Sequence, residues 1–247
     1  MVRLRFPRLS NRALILLAVI VVVVILILYQ LGVGTDEGRI GARSADLHSG
    51  PYASVGFEFD WETGAAPDAT PVSRMLDFAH RYTGKLTYSD TIGGEFAASG
   101  ADCYTDDQAI SISQAHRGQH TIPLVSLWVH VTVLDAYNCA SKFIAGETYA
   151  ASEIVIFMPT LRVCGLLSTC TADQVAEAAA ISHEFGHVMG LCAIAMPDLS
   201  PPVCDKTGHA LDKNSLMAPG LNLDSYYVQN LVLQPGEVQL LNELSWP

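Results

Sequence analysis

The sequence has few basic residues. Lys and Arg together number 14, against 25 Asp and Glu, and the formal net charge is −11. Four of the arginines precede residue 13, so the rest of the chain is more acidic still. An acidic surface repels the phosphate backbone, which argues against nucleic acid as a partner. The sequence also lacks internal repeats, and its length suits one folded domain with short additions.

Charged residues are also absent from a long apolar run near the N-terminus, at residues 13–33. A run of this length can cross a hydrocarbon core of ~30 Å, and the arginines within residues 1–12 would keep that end in the cytoplasm. We therefore predict a single-pass membrane anchor at 13–33, a stalk linker at 34–50 and one extracytoplasmic domain at 51–247. A cleaved signal peptide is the alternative, and the domain would then be secreted.

Cysteines spaced C-x-x-C are absent, which argues against a zinc site built from cysteines. The sequence has six cysteines, and an even number in a chain with a membrane or secretion signal is typical of disulfides. Sequence alone leaves their connectivity open. Joining neighbours along the chain would give the pairs Cys103–Cys139, Cys164–Cys170 and Cys192–Cys204.

Hydrophobic periodicity predicts both strands and helices, in an order typical of an α+β or α/β fold with a mixed sheet packed on helices. The predicted strands are 55–61, 85–88, 125–134 and 153–158, and the predicted helices are 72–82, the segment after residue 171, and 235–244. Residues 91–119 are predicted to be irregular. His116 and His120 are predicted to be loop or surface residues, with a second metal site as the alternative, and for His130 a packed or surface position is favoured over a ligand role.

One stretch combines metal ligands with a general base, and it reads H-E-F-G-H at residues 183–187. His183 and His187 are four residues apart and share one face of a helix, where their imidazoles can bind one zinc ion. Glu184 stands beside the first ligand and can take a proton from a water molecule. A capping-box pattern precedes this helix, and Gly190 is typical of its end. The stretch is the H-E-x-x-H motif of zinc metalloproteases.

Beyond this motif the sequence resembles the metzincins, whose longer motif is H-E-x-x-H-x-x-G-x-x-H followed by a turn that contains methionine. Gly190 matches this motif, but its third histidine would fall on Ala193. The spacing from His209 to Met217 is similar to that of archaemetzincin-like proteins, so the resemblance makes His209 the third zinc ligand after an insertion. Met217 would then lie beneath the metal. Two nearby aspartates are alternatives for the third ligand, because carboxylates also bind zinc: Asp205 and Asp212.

The resemblance implies a mixed, mostly parallel twisted sheet, packed on an active-site helix, a methionine turn and a C-terminal helix. It also implies a zinc endopeptidase in which Glu184 is the general base. The peptide substrate would lie along an edge strand, which the resemblance assigns to Glu153–Met158. Two alternatives stay open: a zinc hydrolase that cleaves a non-peptide amide, and a non-catalytic envelope protein stabilised by zinc. The oligomeric state is not predicted.

Overall fold

A computed structural model describes residues 40–50, 52–90, 94–118, 126–162, 172–192 and 203–244. The strands are β1 (Ser54–Glu62), β2 (Leu86–Asp90), β3 (Glu95–Phe96), β4 (Cys103–Tyr104), β5 (Ser126–Leu134), β6 (Tyr137–Asn138), β7 (Gly146–Ala150) and β8 (Glu153–Phe157). The helices are α1 (Ser44–His48), α2 (Ala69–Thr83), α3 (Asp106–His116), α4 (Met158–Arg162), α5 (Ala172–Val188), α6 (Tyr226–Gln229) and α7 (Pro235–Leu244).

The main sheet has the strand order β2-β1-β5-β8-β7, and β3 pairs with the end of β1. Strands β2, β1, β5 and β8 run parallel, whereas β7 pairs antiparallel with β8. Strands β1, β5 and β8 are buried along nearly their whole length, as is typical of strands covered on both faces in a parallel sheet. The predicted fold, a mixed and mostly parallel sheet packed on helices, is therefore confirmed.

Helices α2 and α5 pack together on one face of the sheet. Helix α2 buries Met75 and Phe78 and ends at Gly84, whose φ of 67° lies in the left-handed region that glycine adopts readily. Phe185 of α5 meets Phe57 of β1 with ring centroids 5.0 Å apart. This edge-to-face pair belongs to the main apolar core, which holds α5 against the sheet.

The opposite face of the sheet is partly covered by α3, within the region 91–119 that was predicted to be irregular. Its Ala109 packs in a smaller core with Val155 and Phe157 of β8. Thr105 and Gln108 cap the helix reciprocally, since each side chain accepts a hydrogen bond from the backbone of the other. The prediction was wrong because α3 buries few residues, so its apolar periodicity is weak, although the capping box is visible in the sequence.

The edge strand of the sheet is β7, and this corrects the assignment of the edge to Glu153–Met158. The predicted strand is β8, which lies between β5 and β7 with all five of its residues buried. An uninterrupted apolar run is typical of an interior parallel strand and does not suit an edge. Among the described residues, the edge of the sheet next to β8 is therefore formed by Gly146–Ala150.

The expected presence of disulfides is confirmed, and two of the three pairs between neighbouring cysteines are formed. Cys103 bonds to Cys139 with an S–S distance of 2.06 Å, and Cys192 bonds to Cys204 at 1.97 Å. The third predicted pair, Cys164–Cys170, lies outside the described residues. The domain boundaries stay predictions, but Leu47 of α1 is buried in the main core, so the folded unit begins before residue 51.

Within the described ranges, no helix combines the length and the apolar character needed to cross a membrane. The anchor predicted at 13–33 lies outside these ranges, as do residues 1–12. This finding contradicts the predicted localisation, which was a single-pass membrane protein with an extracytoplasmic domain.

Candidate active site

Helix α5 supplies the first three residues of the site. His183, Glu184 and His187 lie near its C-terminal end and are all buried. The helix stops just beyond them at Gly190, whose φ of 94° is left-handed, as the sequence predicts. The backbone N–H of Leu191 donates to the carbonyl of Gly186, which closes the last turn. The two histidines are therefore fixed one turn apart on a helix that is itself held by the core.

His209 reaches the same place from a separate segment. The disulfide from Cys204 to Cys192 ties the start of this segment to the end of α5. Cys204 also forms an isolated antiparallel bridge with Ala210, which brackets His209 in a short turn. Within the turn, the Asp205 N–H donates to the His209 carbonyl at 2.7 Å. The insertion predicted before His209 therefore returns this histidine to α5.

The three histidines form a candidate metal-binding group. One ring nitrogen of each lies within 4.8 Å of the others. The Nε2 atoms of His183 and His187 are 3.2 Å apart. Two imidazole nitrogens bound to one tetrahedral zinc, each at ~2.0–2.1 Å, would be ~3.3–3.4 Å apart. The spacing therefore fits a shared ion.

Hydrogen bonds at the far side of two rings fix which nitrogen faces the site. His183 Nδ1 lies 2.7 Å from the Leu216 carbonyl, and His187 Nδ1 lies 3.1 Å from the Leu191 carbonyl. A carbonyl only accepts, so each Nδ1 carries the proton and each Nε2 presents a lone pair. Two lone pairs facing each other repel unless a cation lies between them. The donor set therefore fits the predicted zinc cofactor.

Burial favours the neutral, metal-binding form of the imidazoles. It lowers the pKa of His183, and it lowers the pKa of His187 to about 3, with smaller contributions from the neighbouring histidines. The pKa of His209 is also lowered, first by burial and then by His183. All three rings are thus held ready to donate a lone pair at neutral pH.

The two aspartates considered as alternative ligands serve other purposes. Asp205 Oδ1 accepts hydrogen bonds from the N–H groups of Thr207 and His209, at 2.8 and 3.1 Å. Asp212 accepts from the Asn214 N–H and from the side chain of Gln234. Neither carboxylate belongs to the candidate metal-binding group, whose third member is His209.

Glu184 is buried beside the metal group. Its Oε1 lies 3.9 Å from His183 Nε2, and the hydroxyl of Thr148 on β7 lies 2.8 Å from its Oε2. Burial raises the pKa of Glu184 to about 7, and the Thr148 hydroxyl opposes that rise. The edge strand approaches closely here, because a Cβ at Gly146 would lie 3.0 Å from Glu184 Cγ. Strand β7 therefore orients this carboxylate.

Met217 lies against α5 directly behind the metal ligands. It is fully buried, and a Cβ added at Gly186 would collide with its sulfur atom. The carbonyl that orients His183 belongs to the preceding residue, Leu216. The turn that contains Met217 thus supports His183 by packing and by one hydrogen bond. Residue 186 has to be glycine, because a larger side chain would collide with Met217.

A cavity of about 720 Å³ opens beside the metal group. Its walls include Gly146 and Thr148 of β7 and the exposed side chain of Phe143. Residues 218–221, which follow Met217, also line it. The candidate metal site therefore faces a cleft large enough for part of a peptide.

A second carboxylate in the cleft wall, Glu147, was not predicted from the sequence. Burial raises its pKa to about 7, and the nearby carboxylates of Asp106 and Glu184 contribute to that rise. The hydroxyl of Tyr149 donates to Glu147, and the amide of Asn138 donates to Asp106 at 3.0 Å. The sequence offers no signal for this group, because its members come from α3, β6 and β7.

No protein-family model matches the chain, and no curated protein is significantly similar to it. Among solved structures, the archaemetzincin from Methanopyrus kandleri has 16% sequence identity and a TM-score of 0.53, over 78% of this chain and 96% of that one. A zinc-dependent peptidase from Methanocorpusculum labreanum has 16% identity and a TM-score of 0.49, over 76% and 100% of the two chains. Metalloproteinase-II from Bacteroides fragilis has 10% identity and a TM-score of 0.45, over 81% and 55%. The first of these similarities shows that the chain has an archaemetzincin-like fold.

Proposed function

We propose that this protein is a zinc-dependent endopeptidase. One observation carries the proposal: three neutral imidazoles converge beside a buried carboxylate in the wall of an open cleft. A catalytic zinc has three protein ligands and one open position, and His183, His187 and His209 would supply those ligands. Bound zinc polarises a scissile carbonyl and lowers the pKa of water toward ~7.

Glu184 would act as the general base. A carboxylate with a pKa of about 7 accepts a proton readily at neutral pH and can return it. It would take the proton from the attacking water and deliver it to the leaving amine. The hydroxyl of Thr148 would hold its second oxygen, so that Oε1 is left to face the reacting groups.

The substrate would bind as an extended strand along β7. Within the described part of the chain this strand pairs only with β8, and its residues Gly146–Thr148 border the cleft. An extended peptide can pair with such a free edge through backbone hydrogen bonds, while pockets between side chains select the sequence. Because β7 also carries the Thr148 contact to Glu184, strand addition would bring the scissile bond next to the base.

The test is the substitution Glu184→Gln in the full chain. The amide cannot accept the proton, so peptide cleavage should fall by at least about a hundredfold while the zinc content stays the same. Cleavage is measured on a peptide library, and zinc by elemental analysis. Glu95→Gln, which removes an exposed carboxylate from β3, is the matched control and should keep both.

Two results would contradict the proposal. One is full peptidase activity in zinc-loaded Glu184→Gln. The other is a zinc-loaded wild type that cleaves no peptide in the library, or one whose cleavage persists after a chelator has removed the zinc.

A further inference from the structure

A second group of side chains that could hold a metal ion lies on strands β1 and β5, on the face of the sheet opposite to α5. Side chains alternate between faces along a strand. Phe57 and Phe59 of β1 enter the core beneath α5, so Glu58 and Asp60 point to the opposite face. His130 of β5 is the partner of Glu58 in the parallel register. These three residues, Glu58, Asp60 and His130, are called the sheet cluster below.

The sheet cluster is compact and closed. One donor atom of each member lies within 4.8 Å of the others, and His130 Nδ1 is 3.2 Å from Glu58 Oε2. The relative exposures of Glu58, Asp60 and His130 are 1%, 4% and 3%. The Gly118 backbone lies so close to Glu58 that an added Cβ would overlap its carboxylate. Solvent therefore does little to offset the charge of these carboxylates.

The ring nitrogen of His130 is the observation that points to a ligand. The Nδ1 atom of His130 is buried and has no hydrogen-bond partner among the described residues. Its contact with the Glu58 carboxylate has the distance of an ion pair. A buried polar atom without a hydrogen bond is rare in folded proteins and calls for a bound water or ion. This nitrogen lies 3.2 Å from Glu58 Oε2, within the group of donor atoms that also includes Asp60.

One charged pair borders this group. Glu153 of β8 is the register partner of His130, and it is paired with the Arg117 guanidinium at 3.1 Å. Asp60 accepts a hydrogen bond from the Gly94 N–H at 2.9 Å through Oδ1, and its carboxyl group also contacts that of Glu58. When both carboxyl groups are ionised they carry two negative charges, which one divalent cation balances.

We propose that the sheet cluster binds a second divalent cation of the transition-metal class, such as zinc, as a structural site. The imidazole favours such an ion over magnesium or calcium, which prefer oxygen ligands. Burial of all three donors suits a closed structural site and leaves no cleft for a substrate. The ion would join the neighbouring strands β1 and β5 within the sheet. This structural role is separate from the proposed peptidase activity.

The first test counts metal ions in the full chain, loaded with zinc and freed of excess ion by gel filtration. Wild type should hold about two equivalents, and the double variant His183→Ala/His187→Ala should keep about one. A wild type that holds one equivalent, together with a double variant that holds none, would overturn the proposal. Because this count needs no change in the sheet cluster, a misfolded cluster variant cannot obscure it.

The second test removes the cluster itself. Glu58→Gln/Asp60→Asn should lose one equivalent of zinc and unfold at a lower temperature than wild type, while Glu184 and the cleft histidines keep their metal and activity. Glu62→Gln, a buried carboxylate further along β1, is the control and should keep both equivalents. If Glu58 and Asp60 share a proton without metal, the amide variant keeps the wild-type zinc count and is equally or more stable. That result also overturns the proposal.

Discussion

The sheet cluster and the cleft cluster, which consists of His183, His187 and His209, differ in donors and in access. The cleft cluster has three neutral imidazoles beside a cavity, whereas the sheet cluster has two carboxylates and one imidazole in a closed site. A divalent ion at the cleft would keep its full charge and could polarise a substrate. The same ion at the sheet would be neutralised by its ligands. With both ions bound, one fold would separate a reactive site from a structural one.

The largest expected effect would show that the two clusters are independent. Replacing His209 by alanine removes one of the three cleft ligands. We expect the affinity of that site for zinc to fall by more than about a hundredfold, because loss of a residue that only hydrogen-bonds to a ligand already costs ~10–100-fold. The sheet cluster should keep its ion. Titration with a fluorescent zinc chelator measures both sites.

Asp212→Ala is the control for this experiment, because its carboxylate bonds to Asn214 and Gln234 and not to the metal group. Asp205→Ala should retain zinc with a weaker site, since Asp205 holds the turn around His209. If Asp205→Ala lost the metal as completely as His209→Ala, the assignment of His209 as third ligand would need revision.

An intermediate effect concerns the carboxylate beside the cleft cluster. The pKa of Glu184 in the metal-free protein is about 7, above its ordinary value of 4.5. A raised pKa means that the folded state holds the proton more tightly than the unfolded state, so the stabilisation is complete below ~4.5 and is lost as the pH rises through ~7. Metal-free wild type should therefore lose about 3 kcal/mol relative to Glu184→Gln between pH 4.5 and pH 8.

Denaturant unfolding at these two pH values measures the difference. The comparison with Glu184→Gln cancels the opposing contribution of the buried histidines, whose lowered pKa values destabilise the fold in acid. Equal pH dependence in the two proteins would show that the environment of Glu184 is less apolar than its burial indicates.

The smallest effect tests how β7 supports the base. Thr148→Val keeps the shape of the side chain and removes the hydroxyl that contacts Glu184. Loss of one such hydrogen bond costs ~1 kcal/mol, so activity should fall by about fivefold. The acid limb of the pH–activity profile should move to higher pH, because the hydroxyl lowers the pKa of Glu184. Thr160→Val, a cleft residue that bonds to backbone carbonyls, should leave the profile unchanged.

The cleft cluster could be predicted because its information is local in the chain. His183 and His187 share a helix face by their spacing alone, and the resemblance to archaemetzincin-like proteins implies His209 through its spacing to Met217. The sheet cluster could not be predicted, because Glu58 meets His130 only through the register of two parallel strands. Strand β7 was missed for a related reason: Gly146–Ala150 is half-buried at the edge and shows no strong apolar alternation.

The disulfide between Cys192 and Cys204 has a consequence for how such proteins vary. Its two halves follow α5 and precede His209, so the covalent link sets where the third histidine emerges. The number of residues between the two cysteines can then change without displacing the ligand. A search with a fixed interval between the second and third histidines would overlook chains of this kind. A pattern that allows a cysteine pair around a variable gap would retrieve them.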